Sequence, residues 1–334
     1  MPSFQQSLCL LALCVMPSMQ ACAQHWQDPS RHKVVFVTVD DGVRLEVLDW
    51  GGSGRPVVLL AGLGMSAHIY DGFAEKLTTS YHVYGITRRG YGASSQSSSG
   101  YSEQRRAEDD LKVFDELKLV KPVVAGHSIA GDELTQLATY HPERIRAIVY
   151  LEALNDATDD YTEYDALCSK LPKSMQAAPS PSPSDLKSFR AYRDWRASTG
   201  QPFPESELRA EFTENPDGSV GAYRIPGSIP QAIMAGRVKH DYSQIRVPVL
   251  ALVGFPKTPE EQMKETHVTD PAERLIVAAV YGTYVGMTRN RVKRINGAAG
   301  GAHVAELWGA DHFVFLSNGD DVLREMHAFI TGLH

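Results

Sequence analysis

Apolar and polar positions alternate with two different periods along the first half of the chain. Residues 33–39 and 43–50 alternate one by one on either side of Asp40-Asp41-Gly42, which predicts two strands joined by a hairpin turn. Continuous apolar runs then predict buried strands, separated by segments with helical spacing. The strands are predicted at 56–60, 82–86, 122–125 and 145–151, and the helices at 68–77, 102–119 and 133–140. This alternation predicts an α/β protein with a mostly parallel central sheet flanked by helices.

The middle of the chain, from 154 to 245, lacks strand-like runs and is rich in Asp, Ser and Pro. Its repeat Pro179-Ser180-Pro181-Ser182-Pro183-Ser184 is typical of an extended connector. The core pattern then resumes, with strands predicted at 247–253 and 303–308 and helices at 271–295 and 321–333. The sequence therefore predicts a core made of 33–153 and 246–334, interrupted by a mainly helical cap at 154–245.

The N-terminus has the pattern of a signal peptide. Residues 8–16 form a short apolar run, and Ala21-Cys22-Ala23 is a small-residue cleavage signature. We expect residues 1–23 to be removed by cleavage near Ala23 and the protein to be periplasmic or secreted. Lipid anchoring at Cys22 is the less favoured alternative, because the preceding residues match a lipobox poorly. Only Cys168 would remain after cleavage, so no internal disulfide is expected.

Composition narrows the possible partners. The 334 residues are 43% hydrophobic and 22% charged, as in ordinary globular proteins. A net charge of −7 without a basic run argues against nucleic-acid binding. The apolar run at 8–16 is too short to span a bilayer, so no stable membrane insertion is expected. Without metal-ligand spacing, a dinucleotide fingerprint or a P-loop, we expect neither a metal nor a cofactor. The sequence leaves the oligomeric state open.

A nucleophile elbow is the most informative motif. The hexapeptide Gly126-His127-Ser128-Ile129-Ala130-Gly131 lies between a predicted strand and a predicted helix. Such a strand-to-helix turn forces its serine into a strained backbone conformation and exposes the hydroxyl above the sheet edge. The flanking residues must be small because strand and helix pass close together. Alanine at position 130 replaces the usual last glycine, which is the smallest available departure. Ser128 is the predicted nucleophile.

The base that activates this serine is predicted in the loop after the last strand. A serine hydroxyl is a poor nucleophile until a base takes its proton. Loops that follow parallel strands meet at one edge of the sheet, so His312 in Gly309-Ala310-Asp311-His312 can reach Ser128. His127 is interpreted as structural, because consecutive side chains point in different directions.

The acid that should orient the histidine lies in an unusual place. The loop after strand 247–253, Gly254-Phe255-Pro256-Lys257-Thr258-Pro259, contains no carboxylate. Glu152 follows strand 145–151 and is the preferred acid, since a carboxylate at that depth needs a partner. Asp156 is the second candidate and Glu260 the third.

Two backbone N–H groups are the expected oxyanion donors. The residue after the nucleophile, Ile129, supplies one. Leu63 supplies the other, because Ala61-Gly62-Leu63-Gly64 follows a predicted strand and allows close backbone approach.

With these motifs and Arg88-Arg89-Gly90-Tyr91-Gly92-Ala93-Ser94, the chain resembles the α/β-hydrolase superfamily over 33–153 and 246–333. The position of Glu152 is similar to that of the acid in certain haloalkane dehalogenases, but those enzymes carry an Asp nucleophile where this chain has Ser128. The resemblance therefore implies hydrolysis of a small-molecule ester of small to medium size through an acyl-enzyme on Ser128. Two alternatives stay open. One is lactone, amide or carbon–carbon hydrolysis by the same triad, and the other is a binding module with slow or no turnover.

Overall fold

An eight-stranded sheet lies at the centre of the computed structural model, which describes residues 26–176, 180–298 and 300–333. The strand order is β1-β2-β4-β3-β5-β6-β9-β10, and all neighbours run parallel except the pairs β1–β2 and β2–β4. The strands are β1 (Lys33–Asp40), β2 (Val43–Gly51), β3 (Pro56–Leu60), β4 (His82–Thr87), β5 (Val123–His127), β6 (Ala147–Leu151), β9 (Val249–Phe255) and β10 (Ala302–Trp308). The predicted signal peptide, with Cys22, lies outside the described residues.

Helices cover both faces of this sheet. The described helices are α1 (Asp71–Leu77), α2 (Glu103–Glu116), α3 (Ala130–Tyr140), α4 (Thr162–Cys168), α5 (Phe189–Ser198), α6 (Glu205–Glu211), α7 (Ser228–Ala235), α8 (Pro259–Glu265), α9 (Pro271–Ile295), α10 (Val314–Ser317) and α11 (Gly319–Thr331). Apolar side chains of α1 and α11 join the core on one face, and those of α2 and α3 join the core on the other. Every residue of β5, β6 and β9 is buried, as expected for strands covered on both sides. The predicted α/β class is confirmed.

The segment predicted as a cap contains helices α4 to α7 and a small antiparallel pair, β7 (Phe212–Glu214) with β8 (Val220–Tyr223). The expectation that this segment has no strands is therefore wrong. The two strands are three and four residues long, and Val220 is the one buried residue in them. Such short, exposed strands leave no alternating pattern to detect.

Two helices, α3 and α9, lie next to residues that are predicted to form the functional site. Helix α3 begins at Ala130, immediately after the elbow and three residues earlier than predicted. The 25-residue helix α9 lies between β9 and β10 in the chain and has the predicted bounds. Within the described part of the chain, no helix is long and apolar enough to cross a membrane.

Candidate active site

The elbow between β5 and α3 holds Ser128 in a left-handed conformation, with φ of 54°. A Cβ added to Gly126 would lie 2.9 Å from the Cβ of Ala130, and one added to Gly131 would overlap the carbonyl oxygen of Ala153. The small residues are therefore required by the close approach of strand and helix, as the sequence indicates. A strained serine at this point presents its hydroxyl at the sheet edge.

Ser128 and His312 meet at this edge. The Nε2 atom of His312 lies 2.9 Å from the Oγ atom of Ser128, which is a hydrogen-bond distance. Partial desolvation lowers the pKa of His312; nearby Asp311 opposes the shift and Arg291 adds to it. Solvent reaches the exposed side of this residue and limits the desolvation. A neutral imidazole beside the hydroxyl is the form that can accept the serine proton.

His127 supports the loop that carries this histidine. Its side chain is buried, and its Nε2 donates to the backbone oxygen of His312 at 2.8 Å. Burial and the neighbouring His312 lower the pKa of His127 to about 3, so its ring stays neutral at ordinary pH. The ring also packs against Phe313 and Phe315, with centroids 5.0 and 5.3 Å away. His127 therefore fixes the position of the His312 backbone.

Glu152 lies directly after β6 and also has a left-handed backbone, with φ of 50°. Its carboxylate accepts a hydrogen bond from the N–H of Gly254 at 2.5 Å and another from the hydroxyl of Tyr284 at 3.2 Å. Burial raises the pKa of Glu152, although the Gly254 N–H, Arg291 and the Tyr284 hydroxyl oppose that rise. The side chain is therefore a buried acid held in one position by two donors.

The structure brings Glu152 and His312 to the same cavity without joining them. Both line a cavity of about 250 Å³. Among the described residues, no hydrogen bond connects the two side chains. The role of Glu152 as the acid stays a prediction.

The two alternative acids lie elsewhere. Asp156 accepts hydrogen bonds from the backbone N–H and the hydroxyl of Thr158, at 2.8 and 2.5 Å. Glu260 is exposed in the first turn of α8. In the described part of the chain neither carboxylate lines the cavity that Glu152 and His312 share, so the geometry favours Glu152 over both.

The loop predicted to carry the second oxyanion donor lies beside Ser128. A Cβ added to Gly62 would be 3.6 Å from the Cβ of Ser128. Arg88 donates to the carbonyl oxygens of Ala61 and Gly62, at 2.8 Å each, and so fixes the direction of these peptide groups. Within the described residues, the N–H groups of Leu63 and Ile129 donate to no protein acceptor. Both predicted donors therefore remain available to a ligand.

Buried ion pairs connect this loop to the segment predicted as a cap. Arg88 pairs with Glu133 at 2.9 Å, and Glu133 pairs with Arg106 at 2.9 Å. Arg106 contacts Asp132 at 3.1 Å, and Asp132 also pairs with Arg237 of the cap segment at 3.1 Å. We call this series of five side chains the buried ion chain. It begins at Arg88, which follows β4 and donates to the loop of Ala61 and Gly62, then passes through residues of α3 and α2 and ends in the segment after α7.

Sequence reasoning missed the residues that α9 contributes. Tyr284, Thr288 and Arg291 line the cavity shared by Glu152 and His312. They are spaced by four and three residues, so they share one face of the helix. This polar stripe in a long helix was the signal that could have revealed them. Arg291 is paired with Asp159 at 2.8 Å, which holds its guanidinium in place.

Known proteins with similar sequences match a limited part of the chain. A putative non-heme haloperoxidase of Mycobacterium phage D29 is 31% identical over 124 residues, which are 37% of this chain and 44% of the relative. A putative carbamate hydrolase, RutD, of Caulobacter segnis is 38% identical over 112 residues, or 33% of this chain and 42% of the relative. The chain thus spans less than half the length of these curated relatives.

Solved structures match over most of the chain at low identity. The crystal structure of E-2-(acetamidomethylene)succinate hydrolase aligns with a TM-score of 0.63 and 17% identity, and covers 90% of this chain and 100% of that one. A carboxylesterase from Bacillus subtilis aligns with a TM-score of 0.55 and 15% identity, and covers 91% and 93%. These likenesses show the fold. The family model described as the alpha/beta hydrolase family matches residues 57–325. The chain belongs to the alpha/beta hydrolase family.

Proposed function

We propose that this protein is a serine hydrolase that cleaves small to medium carboxylic esters through an acyl-enzyme on Ser128. The observation that carries the proposal is the 2.9 Å separation between the Oγ of Ser128 and the Nε2 of His312 at a strained elbow. A nucleophile and a base at hydrogen-bond distance are the central requirement of acyl transfer. No step requires a cofactor or a metal.

In the proposed reaction, the hydroxyl of Ser128 attacks the ester carbonyl as His312 takes its proton. The N–H groups of Leu63 and Ile129 donate to the resulting oxyanion, an interaction worth about 3–4 kcal/mol per donor in comparable sites. His312 then protonates the leaving alcohol as the carbon–oxygen bond breaks. A water molecule, deprotonated by His312, attacks the acyl-enzyme. As the acyl–oxygen bond breaks, His312 returns the proton to the Oγ of Ser128, and the carboxylic acid is released.

Glu152 acts in this scheme as a positioning residue. Its pKa is raised because its carboxylate is buried without a strong cationic partner. The imidazolium that His312 becomes during each step supplies positive charge in the same cavity, so the ionised carboxylate stabilises the transition state more than the ground state. The two donors on Glu152 keep the carboxylate in place between turnovers.

The first experiment is labelling with a fluorophosphonate probe. The adduct is detected by the mass of the intact protein and located by peptide mapping. We expect a single adduct on Ser128, which is lost in Ser128→Ala and strongly slowed in His312→Ala. His303→Ala is the matched control, because His303 lies on β10 with its side chain 61% exposed and away from the serine. Absence of an adduct on folded protein would reject an activated serine and favour a binding module.

A substrate panel then separates the ester proposal from its alternatives. Unlabelled protein that hydrolyses aryl and alkyl esters faster than lactones, amides and carbon–carbon bond substrates supports the ester proposal. Faster lactone or amide hydrolysis would replace it with that chemistry on the same residues. A lactone activity is a serious alternative, since a structure described as an N-acyl homoserine lactone degrading enzyme aligns with a TM-score of 0.52 and 22% identity.

Glu152→Gln tests the positioning role. We expect kcat to fall by about 10²- to 10⁴-fold, because the amide keeps the shape but not the charge. We also expect the acidic limb of the kcat/KM profile to move to lower pH, since removing a carboxylate from the cavity it shares with His312 destabilises the protonated imidazole. Asp156→Asn and Glu260→Gln are the controls and should retain activity. Full activity in Glu152→Gln would refute the assignment.

We also propose that the protein is exported, with its leader cleaved near Ala23. The apolar run and the small residues before Gln24 support this proposal. N-terminal mass analysis of the exported fraction should find Gln24 as the first residue. An intact Met1 in that fraction would refute cleavage, and a lipid-modified Cys22 would establish the alternative.

A further inference from the structure

Four side chains with metal-ligating atoms meet beside the start of α1. Asp28 and His32 lie in the segment before β1, His68 lies in a 3-10 turn (Ala67–Tyr70), and Asp71 begins α1. Each residue offers one ligand atom, and these four atoms all lie within 4.8 Å of one another. We call these residues the Asp28–Asp71 cluster.

Three distances between these ligand atoms are close to those of a tetrahedral zinc site. The Nδ1 of His68 is 3.5 Å from Oδ2 of Asp28 and 3.3 Å from Oδ2 of Asp71. The Nε2 of His32 is 3.7 Å from Oδ2 of Asp28. Zinc bonds of about 2.0–2.2 Å in tetrahedral geometry place ligand atoms about 3.3–3.6 Å apart. A single ion therefore fits between these atoms with small adjustments.

The second nitrogen of each imidazole faces a carboxylate. The Nε2 of His68 lies 3.6 Å from Oε1 of Glu46, and the Nδ1 of His32 lies 2.9 Å from Oδ1 of Asp71. Metal-bound histidines usually donate their other N–H to a carboxylate or carbonyl, which fixes the tautomer and the ring orientation. Both rings are already oriented in this way. Glu46 lies outside the proposed ligand set, so its contact with His68 is an observation independent of that set.

The charge of the site is not balanced by lysine or arginine. Asp28, Glu46 and Asp71 bring three carboxylates together, and the side chains of Glu46 and Asp71 are each 5% exposed. In the described part of the chain, no lysine or arginine nitrogen lies within 4.0 Å of these carboxylates, and their ion pairs are with His32 and His68. These carboxylates are paired with the imidazoles: burial lowers the pKa of His68, but Asp71 and Glu46 outweigh it and raise that pKa to about 10. The positive charge here is therefore a proton, which a bound metal ion can replace because ligating histidines must be neutral.

In a second group of similar residues, arginines supply the positive charge. Glu103, Asp132 and His240 are buried close together, but Arg106 and Arg237 both pair with Asp132 at 3.1 Å. Two guanidinium groups already supply the positive charge there. This group therefore carries no proposal.

We propose that Asp28, His32, His68 and Asp71 bind one divalent cation of the zinc class as a structural site. A complete set of four protein ligands leaves no open position, which is the pattern of structural rather than catalytic zinc. Binding would fasten the segment before β1 to the core, and it would reach the cap because Ser206 of α6 donates to Asp71 at 2.5 Å. The site is independent of ester hydrolysis, and it departs from the sequence expectation of no metal.

The experiment uses the full chain purified without a histidine tag, stripped with EDTA and dialysed. Zinc is then added in competition with a chromophoric chelator, and the bound metal is measured by elemental analysis. We expect about one zinc per chain and a rise in Tm of about 5 °C or more at saturating zinc. His32→Gln, His68→Gln and Asp28→Asn should each weaken zinc binding at least tenfold.

His82→Gln is the matched control, because His82 forms an isolated pair with Asp49 at 2.8 Å outside the cluster. It should bind zinc as the unchanged protein does. Asp28→Asn tests the site without disturbing the core, since Asp28 is partly exposed in the segment before β1. Either of two results would overturn the proposal: no stoichiometric zinc binding by the unchanged chain, or equal binding in Asp28→Asn and both histidine variants.

Discussion

Gly62→Ala provides a direct test of the geometry around the nucleophile. The added Cβ would lie 2.7 Å from the Nδ1 of His127, whereas ordinary contacts begin at 3.4 Å. Either the ring or the loop must therefore move by about 0.7 Å. The ring is buried, holds the backbone oxygen of His312 and packs against Phe313 and Phe315, so we expect the loop to move instead.

This movement displaces the N–H of Leu63 from the position where the oxyanion forms. A shift approaching 1 Å costs about 10²-fold in well-oriented reactions, and loss of a whole oxyanion donor costs about 10²–10³-fold. We therefore expect kcat for an ester substrate to fall by about 10- to 100-fold, with a smaller change in KM. Overpacking should also destabilise the fold by about 1–3 kcal/mol.

The assay is steady-state ester hydrolysis, together with the rate of fluorophosphonate labelling and the Tm. Gly72→Ala is the matched control, because a Cβ at that position in α1 meets nothing within 4 Å. We expect the control to keep its activity and labelling rate. If Gly62→Ala is as active and as stable as the unchanged protein, the close packing of this loop against His127 is wrong.

Two further predictions concern buried titratable groups. His127→Phe should lower kcat more than it changes KM and should lower the free energy of unfolding by about 1–3 kcal/mol, because the backbone oxygen of His312 loses its donor. Unchanged kinetics and Tm would refute this prediction. Burial and the neighbouring Glu207 raise the pKa of Glu211 to about 9. The folded chain then holds more protons than the unfolded chain from about pH 4.3 to 9, so stability should fall as pH rises through this window. Glu211→Gln should flatten the Tm–pH curve, and an unchanged slope would contradict the assignment.

Local patterns explain why the elbow and the α/β class could be predicted from the sequence. The strand before Ser128 is continuously apolar, and the residues around the serine are small because of the backbone approach described above. The bounds of α9 were also predictable, since Asp270 and Pro271 provide a helix start and the helical segment runs on to Ile295. The approach of Gly126 to Ala130 and the start of α9 both depend on contacts within a few residues.

Features that depend on distant contacts could not be predicted in the same way. Tyr284 reaches Glu152 only because α9 packs with one particular face toward the cavity, and its periodicity does not specify that face. The Asp28–Asp71 cluster joins two short pairs of residues that are separated by 36 positions, and neither pair alone is a recognisable motif. The hydrogen bond from His127 to His312 likewise crosses 185 positions.

The buried ion chain affects how this protein can diversify. Arg237, in the segment predicted as a cap, pairs with Asp132 of α3, which also pairs with Arg106. Replacing this segment with one that has no cation at position 237 would remove one of the two arginines that pair with Asp132. We expect the free energy of unfolding to fall by on the order of 3 kcal/mol. We therefore expect new substrate preferences to arise by changes within the insertion, with its junction to the core retained. Corresponding segments taken from relatives should be tolerated when an arginine is kept at position 237.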